Sequence, residues 1–487
     1  MTVSEIAKLA PQQVWKHFAK LCEIPRPSHH EQGVIDYIIS LAEQRGLSYE
    51  IDSAGNLIVR KPATPGMESR LGVVMQGHMD MVAQKLPNID HDFTKDPIRA
   101  YIDGEWVTAD GTTLGADNGI GVAIALAVLE SDDIPHPAVE GLFTVNEECG
   151  MSGALGLQPG ILKGDWLFNI DTEEEGELYV GCAGGRDIEI RLPAKRTATP
   201  DGMVGAEIIV GGLKGGHSGV DIHLGRANAN LLTNEFLQRA LELDVHVAQF
   251  DGGSLRNAIP RDATTYVAVP DKNFDALCRL AETMTAEFRQ RFGDIDPNIQ
   301  IQINAAARPG TVFERGFIET LITTLAKCPN GVLRMIEDLP NVVETSDNIA
   351  RITSDEQEVR IEISARSSVE HRKDELCAHI QSLFESIGAT VTQSNDYPGW
   401  QPDMQSPLLA LARDVYQRLY GKVPETKVIH AGLECGVLGA VYPRWKMISY
   451  GPTITGAHSP DERVRIADVG KVWDFTKALL AAVPEKA

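Results

Sequence analysis

Five short segments carry side chains that could hold a divalent cation or move a proton. In LGVVMQGHMDMV, residues 71–82, His78 and Asp80 lie two apart. On an extended chain such a pair faces one side. The carboxylate can then hold one ring nitrogen while the other binds a metal; the bland alternative is a solvated His–Asp pair at a strand end. In GTTLGADNGIG, residues 111–121, Asp117 sits between Gly115 and Gly119, just before an apolar stretch. N-capping is open to it, although Asn118 could cap and leave Asp117 free. No phosphate-binding glycine pattern is present there. FTVNEECG, residues 143–150, sets Glu147 beside Glu148 after an apolar run. Neighbours on an extended chain point opposite ways. One could ligate a metal while the other faces substrate, unless the pair is a solvated loop. Asp171 ends DWLFNID in the same manner, and the acidic run Glu173–Glu175 after it reads as a solvated loop. His458 lies in GPTITGAHSPDE, a loop of Gly, Thr and Pro near the C-terminus.

The elements that must position these groups follow from hydrophobic pattern. Residues 12–22 place Val14, Trp15, Phe18, Leu21 and Cys22 at helical spacing, and Pro25 and Pro27 stop that helix. A second helix is expected from about Glu31 to Arg45, closed by Gly46. Strands are expected at Leu57–Arg60, Leu71–Gln76, Gly141–Val145 and Trp166–Ile170, with a buried helix at Gly119–Leu129. Strands alternating with helices indicate an α/β sheet with covered faces. The candidate ligands then fall just beyond the C-terminal ends of several strands, the edge where open α/β sheets build their sites. Two imidazoles with several carboxylates suit zinc, cobalt or manganese.

After Gly184–Gly185 the pattern changes. Strands at 187–192, 206–210 and 264–269 interleave with helices at about 227–241 and 275–292. A similar order recurs with a strand at 359–364, a helix at 371–387 and a strand at 389–393. The expected organisation is a discontinuous metal-binding domain, residues 1–185 and 396–487, with an inserted α+β domain over 186–395, read as two tandem units. Past YPGWQP, Leu408–Tyr420 and Ile466–Ala482 are helical and Lys446–Ser449 is a strand.

The chain has 487 residues, enough for two or three domains. Lys plus Arg number 45 against 68 Asp plus Glu, a formal charge of -23. That balance argues against nucleic acid or an anionic membrane as partner, since both need a basic face. The N-terminus has no apolar core of signal-peptide type, and no apolar run reaches membrane-spanning length. The 7 Cys are dispersed and form no C-x-x-C pair, which fits a reducing compartment. Cytoplasm is the expected location.

Taken together, these segments resemble the M20 family of metallopeptidases, and within it the aminoacyl-histidine dipeptidase branch. The likeness covers essentially the whole chain. Besides the segments above it includes HDFTKDPI, YIDGEWV, EEGELYVGCAGG, LKGGHSG, LRNAIPR, YPGWQPD and HAGLECG. The resemblance implies a zinc-peptidase-like catalytic domain, a mixed sheet flanked by helices, with an inserted α+β lid. It implies two divalent ions per chain, zinc expected and cobalt or manganese able to substitute. His78, Asp117 and Asp171 would hold one ion, and Asp117, Glu148 and His458 the other, with Asp117 bridging. Glu147 would be the general base, Asp80 would orient His78, and the Asp117–Asn118 peptide would be cis. In the lid, His217 would stabilise the oxyanion, with a polar turn His as the plainer reading. Asn257 and Arg366 would contact substrate, Arg366 taking a C-terminal carboxylate. Glu434 would face the substrate amine or serve as a structural loop Glu.

The implied activity is hydrolysis of small dipeptides, preferentially Xaa-His, β-alanyl-histidine included. A homodimer is expected, since the lid often mediates dimers in the family, yet a doubled lid could mimic that contact within one chain. Two rivals stand beside this reading. Another M20-type amidohydrolase, an aminoacylase or tripeptidase, would share the metal centre and differ in substrate. A non-catalytic metal- or peptide-binding protein on the same scaffold is opposed by the intact Glu147.

Overall fold

The computed structural model describes residues 3–337, 339 and 341–486. Met1, Thr2 and Ala487 at the ends of the expected catalytic span, and Asp338 and Pro340 within the expected lid, lie outside them. Two compact units form. One comprises residues 1–181, 400–428 and 433–487, the other residues 182–399 and 429–432. Among the described residues no helix is long and apolar enough to cross a membrane.

The first unit is built on an eight-stranded mixed sheet. Its strands, in spatial order, are Ser48–Ile51, Leu57–Lys61, Val139–Thr144, Val73–His78, Trp166–Asn169, Lys446–Ser449, Glu177–Cys182 and Glu425–Ile429. Val73–His78 runs parallel to both Val139–Thr144 and Trp166–Asn169, and Lys446–Ser449 runs parallel to Trp166–Asn169. All six residues of Val73–His78 and all six of Val139–Thr144 are buried. Parallel strands covered on both faces read as continuous apolar runs rather than alternations, which is why these segments are legible in the sequence. The helix Ala116–Glu130 is buried through nearly its whole length. A helix apolar all round belongs in an interior, and it packs between this sheet and the amphipathic helix Gln12–Glu23, which buries Val14, Trp15, Phe18, Leu21 and Cys22.

A four-stranded sheet in the same unit was not foreseen. It pairs Ile454–Thr455, Arg463–Arg465, Trp106–Ala109 and Ala100–Asp103 in that order. These strands are two to four residues long, too short for a period to register. Their effect is large, because the loop bearing His458 becomes the connection between two antiparallel strands, Ile454–Thr455 and Arg463–Arg465.

The second unit is built on a large antiparallel sheet with helices against it, beside two short two-stranded pairs. Eight strands run in the order Gln300–Ala306, Met203–Gly211, Ala263–Pro270, His246–Gly252, Val343–Ser354, Glu358–Ser367, Gly184–Pro193 and Thr390–Tyr397, with Gly331–Met335 also paired to Val343–Ser354. Its two halves join where Gly252 faces Ile352. Gly184–Pro193 pairs with Glu358–Ser367, far along the chain, rather than with the next strand. The helices Ala229–Ala240, Phe274–Phe292, Arg315–Lys327 and Glu370–Glu385 supply Phe236, Phe288, Leu321 and Phe384 to its core.

Candidate metal centre

Parallel register sets the first two candidate ligands level. Gln76 faces Asn169 across the ladder, so two residues further on His78 and Asp171 leave adjacent strands at the same height. His78 Nε2 lies 3.3 Å from Asp171 Oδ1 and 3.0 Å from Asp117 Oδ1. Asp117 comes from the first turn of the buried helix, where Asp117 and Asn118 leave helical geometry and the peptide between them is cis. Its other oxygen, Oδ2, is 3.1 Å from His458 Nε2, and His458 Nε2 is 3.0 Å from Glu148 Oε2. His78, Asp117 and Glu148 each offer a ligand atom within 4.8 Å of the others.

Asp80 organises two of these segments at once. Its Oδ1 stands 3.3 Å from His78 Nδ1 and accepts the Glu147 N–H, while Oδ2 accepts the Glu148 N–H and the Ser28 hydroxyl. Burial by itself would raise this carboxyl, yet the bonds from His78, Ser28 and the Glu147 amide hold it down at about 2. Both His78 and Asp80 are fully buried, which removes the solvated-pair alternative.

Glu147 and Glu148 part company, but not by strand alternation. They sit in a turn that follows Asn146, whose φ is 56°. Glu148 reaches His458. The Glu147 carboxylate makes no hydrogen bond to any described residue. Burial, only partly offset by His78 and reinforced by Asp171, Glu434 and Glu148, raises it well above the ordinary range. Glu434 opens the helix Glu434–Val441 and is completely buried, not a loop residue. Its Oε2 accepts bonds from Gln76 and Thr144, its Oε1 has no partner, and burial pushes it up to about 8.

Two other expectations need correcting. Asn118 does not cap the helix: its side-chain amide donates to the Ile170 carbonyl. The cap is Glu462, whose carboxylate accepts the N–H groups of Leu114, Gly115, Ala116 and Asp117 at 2.7, 2.9, 2.7 and 3.2 Å. A partner some 340 residues away leaves no local capping signature, although Glu462 stood within a quoted motif. Nor is Glu173–Glu175 solvated throughout: Glu174 is exposed, but its two neighbours are not. Glu175 is bonded to Tyr416 and Lys471, and Glu173 is half-buried, raised to about 8 by burial and by the nearby carboxylates of Asp117 and Asp171.

The donor set fits divalent cations. Glu148 Oε1 is buried without a hydrogen-bond partner, and buried Asp171 Oδ1 has only His78 Nε2 at 3.3 Å beside it, an arrangement costly for carboxylates unless a cation meets them. Bonds that His458 donates to Asp117 and Glu148 raise it to about 11, so these carboxylates favour positive charge beside them. Ligands of a tetrahedral ion with bonds of roughly 2.0–2.1 Å stand roughly 3.3 Å apart, close to the separations above. Soft thiolate donors are missing from the cluster, so the oxygen-rich set suits zinc, cobalt or manganese.

The remaining predicted residues lie in the second unit, where His217 and Arg366 come together and the exposed Asn257 meets the His217 loop through its backbone. His217 ends the two-residue strand Gly216–His217, paired with Ala258–Ile259, and the Asn257 carbonyl accepts the Ser218 N–H. His217 Nδ1 accepts the N–H groups of Gly219 and Val220 at 3.1 and 3.0 Å. Burial and the neighbouring Arg366 lower its pKa. A neutral ring accepting at Nδ1 must carry its proton on Nε2, which is then a free donor. Arg366 is buried near the end of Glu358–Ser367. It donates to the Tyr397 hydroxyl at 3.0 Å, and its Nε has no partner. A Cβ on Gly219 would meet His217 Cε1 at 3.1 Å and Arg366 Nε at 3.2 Å, so that glycine lets the two side chains share one locale.

The profile of peptidase family M20/M25/M40 matches residues 74–482. The cytosol non-specific dipeptidase of Escherichia coli K12 is 46% identical over 485 residues, covering 99% of this chain and 100% of that protein. The crystal structure of an aminoacylhistidine dipeptidase from Vibrio alginolyticus matches with a TM-score of 0.94 at 48% identity, over 99% of each chain. Aminopeptidase PepT from Bacillus cereus shares the fold, with a TM-score of 0.58 at 16% identity over 98% of this chain and 99% of that one.

Proposed function

The chain belongs to peptidase family M20/M25/M40, and from that premise we propose that it is a metal-dependent dipeptidase of the cytoplasm that cleaves Xaa-His. The observation that supports this best is the division of Asp117. One oxygen lies 3.0 Å from His78, whose Nε2 also meets Asp171, and the other lies 3.1 Å from His458, whose Nε2 also meets Glu148. His78, Asp117 and Asp171 would hold one divalent ion, and Asp117, Glu148 and His458 a second, zinc being the expected metal. Such ions, when bound, polarise a scissile carbonyl and lower the pKa of water.

The chain's own groups do the rest. Glu147, unbonded and with its proton affinity raised, takes a proton from the attacking water and later delivers it to the leaving amine. Asp80 fixes the His78 ring by holding Nδ1, so that Nε2 points at the carboxylates. His217 offers Nε2–H to developing negative charge on the substrate oxygen. Arg366, buried with an unused donor, takes the substrate's terminal carboxylate, and Asn257 adds a polar contact. Glu434, with one oxygen unpartnered, is assigned to the substrate amine.

The two relatives carry different specificities in their names, non-specific in one and aminoacylhistidine in the other. A panel of Xaa-His, Xaa-Ala and Xaa-Leu dipeptides with N-acetyl and tripeptide controls distinguishes them. The expected result is fastest turnover of Xaa-His, loss of activity on chelation and recovery with zinc, cobalt or manganese. Full activity in protein shown to be metal-free would sink the mechanism. Preference for the N-acetyl or tripeptide controls would move the chain to another amidohydrolase class.

A further inference from the structure

We propose that Arg26 and Glu462 are positioning residues that set the affinity of the metal centre by locking its ligand segments together. The inference rests on the metal-dipeptidase reading above. Both residues are 2% exposed. Neither is among the ligands, and neither is used by the mechanism just described.

Glu462 lies four residues after His458, in the same hairpin connection. Its Oε2 accepts the N–H groups of Leu114 and Gly115, and its Oε1 those of Ala116 and Asp117. Successive N–H groups can converge in this way because Gly115 is left-handed, with φ 74°, forming a nest for an anion. No other residue fits there. The φ disfavours a side chain, and a Cβ would come within 2.5 Å of the Arg26 guanidinium and 2.8 Å of Met81 Sδ. One carboxylate therefore ties the segment carrying Asp117 to the segment carrying His458. Arg26 makes the other tie. Its Nη1 donates to the carbonyls of Met79 and Asp80 at 3.0 and 2.9 Å, and its Nη2 donates to the carbonyl of Gly115. The strand end bearing His78 and Asp80 is thereby joined to the same Gly115 turn.

These bonds decide where the two oxygens of Asp117 face, because Asp117 donates its own N–H to Glu462. Bonds to an ionised acceptor are roughly twice as strong as neutral ones. A Gln at 462 has the same shape, but either orientation of its amide turns an NH2 toward two of the four N–H groups. Partners that hold metal ligands typically contribute about 10–100-fold in metal affinity.

The test titrates zinc alone into metal-free wild type, Glu462→Gln and Arg26→Lys against a chromogenic chelator. The melting temperature of the metal-free protein, and KM at saturating zinc, are measured in parallel. The expected result is a zinc affinity lowered about 10–100-fold in Glu462→Gln and toward the lower end of that range in Arg26→Lys. Activity lost at limiting zinc returns with excess zinc, and KM is unchanged. Wild-type zinc affinity with a lowered melting temperature would make the pair ordinary structural ties and overturn the inference. So would a raised KM at saturating zinc, which would mean contact with substrate. If Glu462→Gln does not fold, Arg26→Lys decides by the same criteria. Failure of wild type itself to bind zinc would overturn the metal-dipeptidase reading, an outcome separate from equal binding by wild type and variants.

Discussion

Replacing Glu147 and Glu148 one at a time by Gln separates two roles that adjacent identical residues would otherwise blur. Glu147→Gln keeps the main-chain N–H that Asp80 accepts at 3.1 Å. Because the Glu147 carboxylate has no hydrogen-bond partner among the described residues, the amide disrupts no existing bond there. Fold and metal content are expected to stay as in wild type. What disappears is proton transfer, so the chemical step slows by about 10²–10⁴-fold, equivalent to about 2.7–5.4 kcal/mol of barrier. Glu148→Gln differs in kind. Glu148 Oε2 lies 3.0 Å from His458 Nε2, and its Oε1 is buried without a partner. An amide there removes one of the negative charges that would hold the second ion, so metal content should fall toward one ion per chain. The assay is elemental analysis after gel filtration, beside single-turnover hydrolysis of a Xaa-His dipeptide. Equal metal loss in both variants, or a Glu147→Gln enzyme with wild-type single-turnover rate, would refute the division of labour.

Three other outcomes are expected. His217→Ala should lower kcat by about 10²–10³-fold with little change in KM; a pure KM effect would move His217 to ground-state binding, and no effect would leave it a turn residue. Wild type should discriminate against Xaa-His-amide by about 2–5 kcal/mol in kcat/KM and Arg366→Ala should not; equal discrimination by both would mean that another group reads the carboxylate. Acid should destabilise the fold. Burial holds His17 at about 4 and His430 at about 3, below the 6.5 of an exposed ring. Between those values the unfolded chain binds more protons, so this contribution is complete above pH 6.5 and is lost as pH falls toward 3. The melting temperature should drop over that window and drop less steeply in His430→Asn; parallel slopes would rule His430 out as a source.

Much of the centre was legible because its positions are governed by local rules. A fully apolar run bounded by glycine marks a parallel strand, and a ligand one or two residues beyond it must emerge at the sheet edge. His78 and Asp171 could be read in that way, whereas Glu148 lies four residues past Val139–Thr144, in a turn. Helices with a clear apolar stripe, such as Gln12–Glu23 and Phe274–Phe292, were legible for the same reason. Short strands without a period were not, among them Trp106–Ala109 and Arg463–Arg465.

Tertiary structure alone decided what holds those ligands in place. The cap of the Asp117 turn is Glu462, the guanidinium against Gly115 is Arg26, and the group holding Glu434 is the end of a strand some 290 residues away. A local cap such as Ser or Asp at the residue just before a helix leaves a spacing to find. A remote carboxylate or guanidinium leaves none, because its position depends on chain segments brought together only when the sheet closes. The acidic run at Glu173–Glu175 makes the same point. Composition alone marks it as solvated, yet Tyr416 and Lys471, supplied by two later helices, bury Glu175. Sequence by itself determined which side chains this protein has for its chemistry and which strands and helices carry most of them. Only the folded chain decided which of its many carboxylates stand as candidate ligands, which are caps and which are buried supports, since that choice depends on distances between residues that no spacing along the chain encodes.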